Sequence, residues 1–209
     1  MDDKFSISIK GVLYHKGKYL LRKNQRNEFE LLGGKLETTD VSMEERLIEE
    51  FLEESGIHIE VNSCREPWLY VADKKNAIII PFVCSVINMP EILFDEDGGE
   101  LLWVSANELD GLNMPFGYLD TIHNKVPRKS FSPIEGKYLK IIPNYVEKRY
   151  EVIVKVKDSD NNLILEKPLN NFISPRDFIS QYTENTNLLA QPAAFTESKV
   201  YINYLYMEE

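Results

Sequence analysis

Apolar and polar positions alternate from Phe5 onward, where serines separate Ile7 and Ile9, and the pattern resumes in Lys18-Tyr-Leu-Leu21 after His15-Lys-Gly17. Period-two spacing of β-branched and aromatic residues around a glycine turn predicts an opening β-hairpin. From Ser42 to Ser55 the period becomes helical. Met43, Leu47, Ile48, Phe51 and Leu52 fall on one arc, and Glu49, Glu50, Glu53 and Glu54 on the opposite one. Ser42-x-x-Glu45 reads as a capping box, and Gly56 stands where a glycine would end the helix. Further strands are predicted at Ile57–Val61, Pro67–Val71, Ala77–Val86 and Glu100–Val104, with a short helix capped by Ser105-x-x-Glu108. The polar, proline-bearing segment Asn124–Pro133 suits a linker. Beyond it, Tyr150, Val152, Val154 and Val156 alternate with charged residues, and Asp158–Asn162 turns the chain into Leu163-Ile-Leu165, a second hairpin. Ser174-Pro175 starts a predicted helix running through Tyr182, and Val200–Tyr206 is the last predicted strand. The order implies a mixed α/β (α+β) body over residues 1–128 and a small β-rich C-terminal extension over residues 129–209.

Composition narrows the classes. With 209 residues, 43% hydrophobic and 28% charged, the chain is of ordinary globular type. Its longest apolar run, Ala77–Val86, contains a proline and is about half the ~20 residues of a membrane span. Acids at Asp2 and Asp3 occupy the place where a secretory signal needs a basic start, so a cytoplasmic protein without membrane contact is expected. The net charge of −10 is uneven, with 14 basic against 23 acidic side chains through Arg128 and 10 against 11 beyond. No basic stripe is available to displace counterions from a phosphate backbone, which argues against a nucleic acid polymer as partner. Cys64 and Cys84 lie far apart without a CxxC or histidine-rich context, so neither a disulfide framework nor a zinc site is expected, and Cys84 reads as a core thiol. His15, His58 and His123 form no motif and read as surface or turn residues.

The chemistry-bearing pattern is the glutamate face. Glu50, Glu53 and Glu54 stand at i, i+3 and i+4, a spacing that lets their carboxylates converge beside the helix. Like charges brought together are relieved by raised pKa values or by a bound cation. Mg²⁺ is the matching ion, since it takes oxygen ligands and combines one or two carboxylates with substrate phosphates. A merely solvated acidic face is the plainer alternative. Arg22, Lys23 and Arg26 precede Gly33-Gly34 and either meet phosphate oxygens or form a wet hairpin edge. Trp68 and Trp103 read as core or rim aromatics, with base stacking as the functional alternative for an exposed ring.

Gly34-Lys-Leu-Glu-Thr-Thr-Asp40, then Val41 to Ile48, then Glu49-Glu50-Phe51-Leu52-Glu53-Glu54-Ser55-Gly56-Ile57 resembles the Nudix box, G-x5-E-x7-R-E-U-x-E-E-x-G-U with U a bulky aliphatic residue. The resemblance covers residues 5–125 and implies an α/β/α sandwich around a mixed sheet. It also implies a Mg²⁺- or Mn²⁺-dependent hydrolase that cleaves a nucleoside diphosphate linked to another moiety. Carried over by position, Glu50 and Glu54 with the Gly34 carbonyl are metal ligands, and Glu50, Glu53 and Glu54 are the catalytic glutamates. Glu100-Leu-Leu-Trp103 through Leu112-Asn-Met-Pro-Phe-Gly-Tyr118 is similar to the ADP-ribose pyrophosphatase-like branch, which favours ADP-ribose or a similar nucleotide sugar and makes Glu100 a candidate to activate water. The chain departs from the pattern in three places. Asp40 replaces the first glutamate, the following spacer is one residue longer, and Glu49 stands where the family has an arginine. Arg46, one turn before Glu50, is placed to substitute for that arginine. These departures motivate an alternative, a catalytically impaired Nudix-fold module that binds or senses nucleotides. The extension is left three roles: extending the sheet, covering the pocket or forming a homodimer interface.

Overall fold

A computed structural model describes residues 4–24, 27–72, 75–91, 93, 95, 98–131, 148–170, 173–184 and 187–207. Of the candidate site residues, Arg26 lies outside them, as does the end of the expected linker.

The hairpin forms from β1 (Lys4–His15) and β2 (Lys18–Lys23), paired His15 to Lys18 across a two-residue Lys16-Gly17 turn. Both turn residues have positive φ, 49° and 85°, as a turn matching the twist of the two strands requires. β3 (Phe29–Glu30) pairs with β2. The box helix α1 (Met43–Ser55) begins at Ser42, whose hydroxyl accepts from the Glu45 N–H, and ends at Gly56, whose N–H donates to Leu52 O. β4 (His58–Cys64), β5 (Trp68–Ala72), β6 (Lys75–Asn88) and β7 (Glu100–Ser105) follow. The Ser105 cap leads into a 3-10 turn, Ala106–Gly111, with the Glu108 carboxylate accepting from Ser105 N. Next come α2 (Phe116–Ile122), which the sequence pattern did not predict, and β8 (Ser130–Phe131).

The long strand β1 organises the body. It pairs in parallel with β6 from Ser6–Ala77 to Leu13–Cys84, and β6 pairs antiparallel with both β4 and β5. Period-two alternation divides the side chains between two apolar layers. Phe5, Ile7 and Ile9 of β1 with Ile78, Ile80 and Phe82 of β6 pack with Met43, Leu47 and Phe51 of α1. On the other face Val12, Trp68 and Ile79 pack with Leu109, Tyr118 and Ile122 from the 3-10 turn and α2. A helix layer on each side of a mixed sheet is the sandwich the resemblance implies.

The extension comprises β9 (Tyr150–Lys157), β10 (Leu163–Pro168), α3 (Pro175–Ile179), β11 (Leu188–Phe195) and β12 (Lys199–Tyr206). The predicted second hairpin and last strand are present. α3 stops three residues before Tyr182, and β11 lies in a segment where no strand was predicted. β9 pairs with β12 on one edge, and its other edge is shared in tandem by β1, at Phe5–Tyr150, and by β10. The described strands thus form one 12-stranded sheet. Tyr150, Val152, Phe178 and Ile202 belong to the same apolar cluster as Phe5 and Phe51, so that cluster crosses the 128/129 boundary read from the sequence.

Asp120 closes the α2 corner. Its carboxylate is 4% exposed and accepts from Arg128 N at 2.9 Å, from Nε at 2.8 Å and from Nη2 at 2.9 Å. Burial opposes the charge, but the hydrogen bonds and charge of Arg128 prevail and hold the carboxyl below its ordinary 3.8. A depressed folded pKa stabilises above the unfolded value and loses that contribution as pH falls through the folded value. Asp120→Asn is therefore expected to lower stability by about 1–2 kcal/mol at pH 7. In thermal melts the gap should be full well above pH 3.8 and close only as pH falls past the lowered folded value, and a gap that persists in strong acid would reject this account.

Candidate active site

The site forms where α1 meets the Gly33-Gly34 loop across β1. Ile9 N donates to Gly34 O at 2.9 Å, which seats the loop on the strand. A Cβ on Gly34 would overlap the Glu50 carboxylate, so only glycine allows that carboxylate to lie against the backbone. Gly33 has φ +124°, and a Cβ there would overlap Ile9 O. Glu54 Oε2 accepts from Gly33 N at 2.8 Å, which anchors the far end of the helix to the same loop.

At 100° per residue, Glu50 and Glu54 stand about 40° apart and face the loop together, whereas Glu53 is turned to the outer side. The exposures follow. Glu50 and Glu54 are 8% and 7% exposed, while the Glu53 side chain is 55% exposed. The expected three-way convergence is therefore a buried pair with a third carboxylate outside it, and no cluster of three metal-ligating side chains occurs among the described residues. The two-faced helix is corrected as well, because Glu50 and Glu54 are buried with Met43, Leu47 and Phe51 while Leu52 is 44% exposed.

Three cations surround the pair. Lys10, 6% exposed, donates to Gly33 O at 2.5 Å and stands 3.9 Å from Glu30. Arg22 Nη1 lies 3.5 Å from both Glu54 Oε1 and Glu30 Oε1, and its Nε donates to Asp95 Oδ2 at 2.6 Å. Arg46 contacts Glu50 directly and reaches Glu49 at 3.3 Å and Glu53 at 3.8 Å. It thus occupies the position relative to Glu50 that the helical spacing assigned to it. Desolvation still dominates the carboxylates. Burial raises Glu50 against the opposing charges of Arg46 and Lys10, and it pushes Glu54 up to about 7 against Lys10, the Gly33 N–H and Arg22. Lys10, Arg22 and Arg46 face four carboxylates here, Glu30, Glu50, Glu54 and Asp95, before the exposed Glu49 and Glu53 are counted.

Hard oxygen donors with surplus negative charge, two of them desolvated and lodged against a glycine backbone, suit a small divalent cation. Glu50 and Glu54 offer such donors against the Gly33-Gly34 backbone, while the Gly34 carbonyl accepts from Ile9 N on β1.

Of the other candidates, Arg22 lies inside the cluster. Lys23 and Glu100 pair across β2 and β7 with their charges 3.8 Å apart, and the Glu100 side chain is 64% exposed. Lys10, Glu30 and Asp95 were not foreseen. A lysine in the middle of the first strand, between Ile9 and Gly11, was the available clue for Lys10, whereas Asp95 reaches Arg22 across 73 positions of sequence. Trp68 is fully buried and packs edge-on against Tyr118 at 5.0 Å, which closes it to base stacking.

No family model matches the chain, and no curated protein matches it. Solved structures do. A Nudix hydrolase from Nitrosomonas europaea, 16% identical, superposes with a TM-score of 0.52 over 68% of this chain and 97% of its own. The MutT protein from Methanosarcina mazei Go1 is 24% identical over 59% of this chain and 94% of its own, with a TM-score of 0.48. The first superposition places the chain among Nudix folds, a mixed α+β architecture whose solved neighbours are Nudix hydrolases. About a third of this chain has no counterpart in that structure. Among the described residues, no helix is long and apolar enough to cross a membrane.

Proposed function

We propose that the chain is a metal-dependent pyrophosphohydrolase that cleaves a nucleoside diphosphate linked to another moiety, with ADP-ribose or a similar nucleotide sugar favoured. The observation that carries this reading is the buried Glu50–Glu54 pair against Gly33-Gly34, over-supplied with negative charge on a Nudix fold. Glu50, Glu54 and the Gly34 carbonyl would hold Mg²⁺ or Mn²⁺, which supplies Lewis-acid polarisation of the diphosphate and neutralises charge on the leaving oxygen. Arg46 orients Glu50, while Arg22 and Lys10 keep Glu54 and the loop in register. Glu53 at the outer rim, or Glu100 at the start of β7, accepts the proton of the attacking water. Lys23 and Arg26 are assigned to phosphate contacts together with Arg22. The preference for a nucleotide sugar rests on the similarity of Glu100–Tyr118 to that branch.

A second reading, a nucleotide-binding module without turnover, is favoured by one observation. Glu49 stands at the box arginine position, and Arg46 is engaged with Glu50 instead. The test is a screen of dinucleotides, nucleotide sugars and nucleoside triphosphates with and without Mg²⁺ or Mn²⁺, reading released nucleoside monophosphate and phosphate. Metal-dependent release from a nucleotide sugar is the expected result. Saturable binding with no product in either metal would replace it with the second reading.

A further inference from the structure

A cavity of about 420 Å³ lies where the body meets the extension, and it shares no lining residue with the glutamate site. Arg65, Lys125 and Arg176 supply its cations, Glu66 its carboxylate, and Leu188 and Ala190 part of its apolar wall. The volume is in the range of small-molecule sites, where an apolar wall and a few polar groups converge.

The charges are unequally engaged. Arg176 Nη2 donates to Glu66 Oε2 and to Leu188 O, both at 2.7 Å, and the other Glu66 oxygen accepts from Tyr204 OH at 2.6 Å, so both Glu66 oxygens are taken and the Arg176 guanidinium is ion-paired. Arg65 is not. Its backbone N–H is taken by Pro81 O at 2.7 Å, but its guanidinium makes no hydrogen bond or ion pair among the described residues, and its buried Nε has no partner. A buried guanidinium N–H without an acceptor is costly, and native structures normally supply the acceptor or a ligand. Lys125, on the exposed turn after α2, makes no salt bridge among the described residues, and its charge reaches Asp120 only at longer range. Arg65 and Lys125 thus line one cavity with no ion pair to either among the described residues, in a chain whose net charge is −10.

We propose that this cavity is a second ligand site that takes the phosphate monoester group of a small organic molecule between Arg65 and Lys125, with the organic part against Leu188 and Ala190. A doubly charged phosphate would supply acceptors to Arg65 and a counter-charge to Lys125, and its oxygens match the planar fork of Arg65. This assignment does not depend on the hydrolase reading.

The test is calorimetric titration of the full chain with phenyl phosphate, inorganic phosphate and benzoate in metal-free buffer. Saturable binding of phenyl phosphate is expected, with weaker binding of inorganic phosphate. Affinity should fall at least tenfold in Arg65→Gln and in the exposed-site variant Lys125→Gln, and stay unchanged in Glu54→Gln. Absence of saturable binding, unchanged affinity in Lys125→Gln, or benzoate binding as tightly as phenyl phosphate would each overturn the proposal. Loss of binding in Glu54→Gln alone would also overturn it, by moving the ligand to the glutamate site.

Discussion

Glu54→Gln is expected to cut metal-dependent turnover by about 10²-fold or more, while the metal-free protein at pH 8 keeps its stability or gains some. The two effects separate because the carboxylate is 7% exposed and its pKa is raised to about 7, chiefly by burial. For an acid raised in this way, the contribution to stability is complete below the unfolded value of 4.5 and is lost as pH rises through about 7. At pH 8 the parent bears the whole cost of a buried charge and Gln bears none. Gln also retains an oxygen to accept from Gly33 N, the bond that ties the helix end to the loop at 2.8 Å. What disappears is the negative charge facing Arg22 at 3.5 Å and the donor strength a divalent ion needs. Product release and thermal melting together decide the matter. Near-normal turnover would remove Glu54 from the site, and a collapsed melting temperature would make it a structural residue.

The largest effect on folding is expected from Gly33→Ala. The added Cβ would meet a backbone oxygen, Ile9 O, on a residue whose φ of +124° L side chains rarely adopt, so neither partner can move without disturbing β1. Strain and overpacking of this kind cost about 2–4 kcal/mol together. Gly34→Ala is the informative contrast, since the three atoms nearest its Cβ all belong to the end of the Glu50 side chain. It should leave the melting temperature within a few degrees of the parent while displacing that carboxylate and lowering turnover. Equal melting losses in the two variants would refute the distinction.

Local chemistry decided what could be read from the chain. α1 was legible to the residue because Ser42, Gly56 and a 3.6-residue period all act within one helix. Arg46 was placed correctly beside Glu50 for the same reason, as i and i+4 positions are neighbours whatever the rest of the fold does. α2 was missed because its first turn has no local side-chain cap. Gly117 N donates instead to Ser130 Oγ at 2.7 Å, a partner thirteen positions away. β11 was missed because its alanines and Pro192 carry little strand propensity, and its pairing with β12 holds it in place. The buried Glu50–Glu54 pair was visible as a cluster, but the depth that makes it unusual depends on Gly33, Gly34, Lys10 and Arg22, which the sheet assembles from distant strands.

The tandem edge of β9 ties β1 to a strand far along the chain. Tyr150, fully buried, pairs with Phe5 and also donates its hydroxyl to Leu36 O at 3.3 Å, just beyond the glycine loop. Without β9, the start of β1 would have that edge bare and the Leu36 carbonyl would lose this donor, while the pairing of β1 with β6 and the bond from Ile9 N to Gly34 O would still be available.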